Sequence, residues 1–161
     1  MTSSGRRYLA GALALLVAGI HLYWGFPRLV VYVQAGMMPD PRPLLFVASA
    51  IAILLGIARV LDGSDPDRIY LAGIGLMCAY LGGYVLWHTG LAHGAFWPWG
   101  PEPITHDESA LQVVADHLFA DRLAQLSKLA EALLAAVLVV LYREEETAAD
   151  ERVPAVVRGD D

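Results

Sequence analysis

The chain is short of most things that signal soluble catalysis. It has one cysteine, Cys78, in 161 residues, which excludes an intramolecular disulfide, a CxxC redox pair and a thiolate metal site. Cys78 sits inside an apolar run, and the expectation is a small buried side chain rather than a reactive thiol. A single lysine, Lys128, stands beside ten arginines, and the net charge is −6, so nothing points to nucleic acid as a partner. The chain carries no glycine-rich nucleotide motif and no nucleophile–base pair at a recognisable spacing. A soluble-type hydrolase or kinase is therefore disfavoured, and the residues give no basis for assigning an enzyme. No internal repeat is visible beyond the recurrence of apolar segments.

Apolar residues are what the chain has in excess. They make up 57% of it, with a mean hydropathy of +0.49, and they come in blocks rather than at the periodicity of a soluble core. The blocks are Tyr8–Trp24, Leu44–Leu61, Ile69–Trp87 and Leu123–Tyr142. Each is long enough to cross a bilayer core of roughly 30 Å. The expectation is an all-α, four-helix transmembrane bundle over residues 1–142. Arg6 and Arg7 before the first block loosely echo a secretory or twin-arginine signal. Bulky HLYWGF offers no small-x-small cleavage site, so the block is read as a retained first helix.

Arg6, Arg7, Arg59, Arg68 and Arg143 fall on one side of the four spans, and Arg28, Arg42 and Arg122 on the other. By the positive-inside rule both termini are cytoplasmic, in a multi-pass protein of the cell membrane. All four tryptophans, Trp24, Trp87, Trp97 and Trp99, then lie outside, as an interfacial belt would. The tail from 143 to 161 is acidic and contains proline, which predicts a disordered cytoplasmic segment. Pro27 follows the first span, and the apolar LVVYVQAG beyond it either prolongs that helix or lies on the membrane. The loop HGAFWPWGPEP reads as a packed cap.

Thr105 and Glu108 have capping-box spacing. A helix from there to Tyr142 would be about 55 Å long, too long for the bilayer. Its first half must project or bend onto the surface as an outer amphipathic helix preceding the fourth span, with Leu111, Val114 and Leu118 as its apolar face. Rows of small residues recur every fourth position: Ala10, Ala14 and Ala18; Ala48, Ala52 and Gly56; Gly75, Ala79 and Gly83. Such rows let helices approach closely in lipid.

The ionisable residues inside the spans are the candidates for function. Lys128 and Glu131, at i and i+3 in the fourth span, form an expected intramembrane ion pair. Glu131 lies about 12 Å below the start of that span. His21, Tyr80, Tyr84, His88, His117 and Asp121 extend a seam from mid-membrane to the outer surface. The candidates for a ligand or cofactor are His21, Tyr84, His88, His117, Asp121 and Glu131. His21, His88, His117 and Asp121 are those for a metal, and His21 with His88 is the one pair suited to haem b. A His/Tyr/Glu chain can also relay protons or hold a quinone head group. The same residues admit a bland reading. Lys128 and Glu131 then only make insertion tolerable, His21 joins helices, His88 and His93 belong to the interface, and His106 is solvated.

The segments AGIHLYWG, LLFVASAIAILLGIARVL and LSKLAEALLAAVLVVLY resemble a group of uncharacterised four-helix membrane proteins of halophilic archaea and actinobacteria. The excess of arginine over lysine with acidic loops fits such a source. The resemblance implies the fold and no activity. A fainter similarity links the layout to DoxX-like four-helix proteins, some of them partners of redox enzymes. The expected function is a small polytopic membrane protein, an accessory or structural subunit with an outward-facing ionisable seam. Its partners would be the lipid bilayer and other membrane subunits or further copies of itself. The alternatives are a redox protein holding haem, a transition metal or a quinone, and an oligomeric proton or ion conductor.

Overall fold

The computed structural model describes residues 3–104 and 106–151. Five α-helices follow one another: α1 Ser3–Ala35, α2 Arg42–Leu61, α3 Pro66–His88, α4 Ala110–Ala120 and α5 Arg122–Glu151. A short 3-10 turn covers Ala92–Gly94. The fold is all-helical, and α1, α2, α3 and α5 are each long and apolar enough to cross a membrane. Leu15, Leu55, Leu71 and Leu129, each more than half exposed, cover the outside of the bundle, as lipid-facing side chains do.

The four long helices form a ring in which α1 touches α2 and α5, and α3 touches α5 and, sparsely, α2. α5 turns Ser127, Ala130, Glu131, Leu134, Leu138 and Leu141 inward, a helical spacing of three and four. α1 answers with Ala10, Ala14, Val17, Ala18 and His21. Its small side chains let the backbones come close, so the first alanine row packs as such rows do in lipid. Gly25 does the same against α2, where a Cβ would lie 3.0 Å from Phe46 Cβ and from the Pro43 carbonyl. The other two rows serve differently. Ala48 and Ala52 of α2 and Ala79 and Gly83 of α3 line a cavity of about 810 Å3, because the helices that carry them diverge instead of closing.

Several boundaries differ from the sequence reading. α1 continues through Pro27 to Ala35, so LVVYVQAG prolongs the helix. α5 runs past Tyr142 to Glu151, where a disordered tail was expected from 143. The physical reason is at the start of α1: Arg6 pairs with Glu144 and Arg7 with Glu145, so the acidic run has cationic partners on a neighbouring helix. Residues 152–161 of that tail lie outside the described residues, as does Thr105 of the expected capping box. α4 is instead capped by Ser109, whose side chain accepts from the Gln112 N–H.

The outer helix expected before the fourth span is α4, separated from α5 at Asp121, which is extended (φ −117°, ψ 107°). α4 therefore folds back on the bundle end rather than continuing outward. Of its expected apolar face, Val114 and Leu118 are half-buried beside the buried Val113 and the half-buried His117, while Leu111 is 80% exposed.

Candidate functional site

Two groups of polar side chains occupy the bundle, one inside it and one at its α4 end. The inner group begins at Glu131, a fully buried carboxyl. Its Oε2 accepts from Lys128 Nζ at 2.6 Å. Its Oε1 accepts from Ser127 Oγ at 2.8 Å and lies 3.2 Å from His21 Nε2. The other ring nitrogen of His21 is 3.0 Å from Ser49 Oγ, and Tyr80 places its hydroxyl 2.8 Å from the same oxygen. Four helices thus contribute to one hydrogen-bonded chain: His21 from α1, Ser49 from α2, Tyr80 from α3, and Ser127, Lys128 and Glu131 from α5. Phe46 stacks on the His21 ring at 4.7 Å and 12°, a contact that the close approach at Gly25 permits.

This arrangement follows from the cost of a buried charge. A lone charge at the centre of a membrane helix costs about 2.5–3.5 kcal/mol on insertion scales. Lys128, one helical turn before Glu131, neutralises it. Ser127 and His21 fill the remaining lone pairs, which a buried carboxylate otherwise leaves unsatisfied.

The second group gathers four of the chain's five histidines. Ligand nitrogens of His88, His93 and His117 all lie within 4.8 Å of one another. The His106 ring centroid is 5.2 Å from that of His93 and 5.4 Å from that of His117. Helix ends set the first and third: His88 closes α3, and His117 sits on the inward face of α4. In each, Nδ1 lies against the carbonyl four residues earlier, Tyr84 at 2.9 Å and Val113 at 2.8 Å. A carbonyl can only accept, so Nδ1 carries a proton, and in the neutral ring Nε2 is left with its lone pair free. Metal-ligating histidines are held in this way, with one nitrogen anchored and the other aimed at the ion.

His93 arrives by a different route. Ala92 and His93 both have positive φ, 42° and 60°, and Gly94 follows at 97°. Left-handed backbone is unfavourable for residues with a Cβ, and consecutive strained residues often mark functional loops. The turn is held by Trp87, whose ring lies against Gly94 so closely that a Cβ there would meet it at 2.5 Å. Arg42 stacks on the same ring, its guanidinium carbon 4.0 Å from the Trp87 ring centre and its charge paired with Asp40. The Trp97 indole N–H donates to the Met38 carbonyl at 2.7 Å, so the loop is a packed cap. Trp24, Trp87 and Trp97 are packed in this region, while Trp99 is exposed.

His93 Nε2 stands 3.3 Å from His117 Nε2. Two imidazole nitrogens bound to one tetrahedral ion at about 2.0–2.1 Å would be about the same distance apart. His93 Nδ1 is buried without a partner among the described residues, which a purely structural hydrogen-bond network would avoid. Burial, followed by the neighbouring charges of His117, His106 and Arg42, holds the His93 pKa below the usual imidazole value. The ring thus stays neutral, the form that can ligate.

The expected candidates divide between the two groups. His21, Lys128 and Glu131 belong to the inner chain. His88 and His117 belong to the outer cluster, with Tyr84 stacked on His88 at 4.3 Å. His21 and His88 therefore face different partners and do not form the facing pair that haem would need. Asp121 lies at the junction of α4 and α5, where its Oδ1 accepts from the N–H groups of Leu123 and Ala124. It caps α5 and is outside the three-histidine group. His93, expected as an interface residue, belongs to the three-histidine group, while His106 is exposed, as its solvated reading implies. The signal that could have found the group is compositional, since four of the five histidines lie between positions 88 and 117.

Together these observations describe a four-span helical bundle with a buried ion pair inside and a histidine cluster at one end. No protein-family model, curated protein or solved structure matches the chain.

Proposed function

We propose that the chain is an integral membrane protein that binds a divalent transition-metal ion at the outer end of its bundle, through His88, His93 and His117. The observation that carries this reading is the convergence of the three ligand nitrogens within 4.8 Å, two of them fixed by helix carbonyls. Three neutral imidazoles suit zinc, copper, iron or nickel. A three-histidine set leaves a fourth position for water, an outside ligand or the exposed His106. The arginine distribution supports cytoplasmic termini, so the metal would meet the external medium.

The test is metal titration of the protein purified in mild detergent and stripped with a chelator. Zinc should bind near one equivalent per chain by elemental analysis after gel filtration. His93→Ala and His117→Ala should each weaken binding by at least about tenfold, while His21→Ala should leave it unchanged. If zinc, copper and nickel all fail to bind above background, the metal reading is overturned. The histidines would then serve packing, in an accessory membrane subunit whose seam holds its helices and meets a partner.

A further inference from the structure

The cavity between α2 and α3 is a second feature that helix packing does not account for. Its volume of about 810 Å3 falls within the range of small-molecule sites, roughly 300–1,000 Å3. It exists because small residues face it from both sides, Ala48 and Ala52 on α2 and Ala79 and Gly83 on α3. Its walls are mainly apolar and aromatic, with Phe46, Tyr80 and Tyr84 among them. Polar groups from α2, α3, α4 and α5 also border it, Lys128 among them.

Lys128 sets the chemistry of the occupant. An ammonium has three N–H donors. One goes to Glu131 at 2.6 Å and one reaches the Tyr80 carbonyl at 3.4 Å. The third has no partner among the described residues, and the side chain borders the cavity. The Tyr84 hydroxyl, on the same wall, also makes no hydrogen bond among the described residues. Beside Lys128 and Tyr84 the cavity therefore offers unfilled donors, while the acceptors His88, His117 and Asp121 also border it. Because Glu131 already neutralises Lys128, an anionic ligand would add an uncompensated charge to a buried site. A neutral acceptor would not. The Lys128 nitrogen also lies 5.7 Å and 5.4 Å from the centres of the Tyr80 and Tyr84 rings, so an acceptor reaching it must lie beside aromatic faces.

We infer that this cavity binds a neutral lipid bearing a flat ring with carbonyl acceptors, the chemistry of a membrane quinone. One carbonyl oxygen accepts from Lys128, and the ring lies along Phe46, Tyr80 and Tyr84. The apolar tail follows the gap where α2 and α3 diverge. The inference does not depend on the metal reading, although His88 and His117 border the same cavity.

Trp24 and Trp87 line the cavity, so a bound quinone would quench their fluorescence. The experiment titrates decylubiquinone into chelator-stripped protein in detergent. Saturable quenching is expected, with laurate as a weaker competitor. Gly83→Phe fills the cavity, since a Cβ at Gly83 meets nothing within 4 Å. It should weaken binding about tenfold or more. Lys128→Met with Glu131→Leu removes the donor while keeping the site neutral, and should weaken binding by a similar factor. This second variant keeps the inference testable if Gly83→Phe does not fold by circular dichroism. Quenching that does not saturate, or that both folded variants leave unchanged, is partition into the micelle and overturns the inference. Laurate binding more tightly than the quinone overturns its neutrality argument. Because the protein is metal-free throughout, neither outcome bears on the histidine cluster.

Discussion

At the scale of single residues, Glu131 and Lys128 are two charges whose consequences differ according to which is removed. Lys128→Met leaves a carboxylate buried among helices with only neutral donors or His21 to answer it. A buried charge stripped of its partner typically costs about 3–5 kcal/mol. Thermal unfolding in detergent should show Lys128→Met far less stable than the parent protein. The double variant Lys128→Met with Glu131→Leu removes both charges and should recover most of that loss, because two apolar residues suit the site better than one orphaned ion. A double variant no more stable than the single would show that the pair is not what makes Glu131 tolerable. His21 is the second partner of Glu131. His21→Ala should destabilise less than Lys128→Met, since it removes a hydrogen bond and a stacked ring but no formal pairing.

Single glycines control how the elements meet. Gly25 lets the first turn of α2 lie against α1, and this is what brings Phe46 onto His21 and Ser49 within reach of it. Gly25→Leu would push into Phe46 Cβ and the Pro43 carbonyl, both 3.0 Å from the position of a Cβ. A helix backbone cannot yield as a side-chain tip can, so overpacking of about 1–3 kcal/mol is expected, read as a lower unfolding temperature. Gly94 plays the corresponding part in the cap. Gly94→Ala meets both a φ of 97° and the Trp87 ring. It should displace His93 and weaken zinc binding while leaving the inner chain intact, so its unfolding temperature should fall less than that of Lys128→Met. Equal zinc affinity in Gly94→Ala and the parent protein would show that the strained turn does not position His93.

For the molecule as a whole, the ends of α1 and α5 are tied by Arg6 with Glu144 and Arg7 with Glu145, and the histidine cluster lies at the other end of the bundle. The four-span plan therefore puts Ser4 and Thr147 on one side of the membrane and Trp99 on the opposite side. In a Cys78→Ala background, an impermeant maleimide added to intact cells should label Trp99→Cys. Ser4→Cys and Thr147→Cys should react only after the cells are opened. The reverse pattern would invert the orientation inferred from the arginines and place the histidines in the cytoplasm. Labelling of Ser4→Cys and Thr147→Cys from opposite sides would contradict an even number of spans.

The number and approximate limits of the membrane helices, and the pairing of Lys128 with Glu131, were legible in the residues alone. Both are local properties: hydropathy is a sum over neighbours in the chain, and an i, i+3 pair meets on any helix. The helical course of 143–151 was not legible, because the residues that neutralise its acids are more than 130 positions away. A separate helix before the fourth span was legible from length alone, but the position of the break, Asp121, was not. The place of His93 was not legible for the same reason. Five residues separate His88 from His93 and twenty-four separate His93 from His117, and only a left-handed turn and a folded-back helix bring them together. Ala48, Ala52, Ala79 and Gly83 carried the signature of close packing, yet they border a cavity. Small side chains permit two backbones to touch, but the packing of the remaining helices decides whether they do.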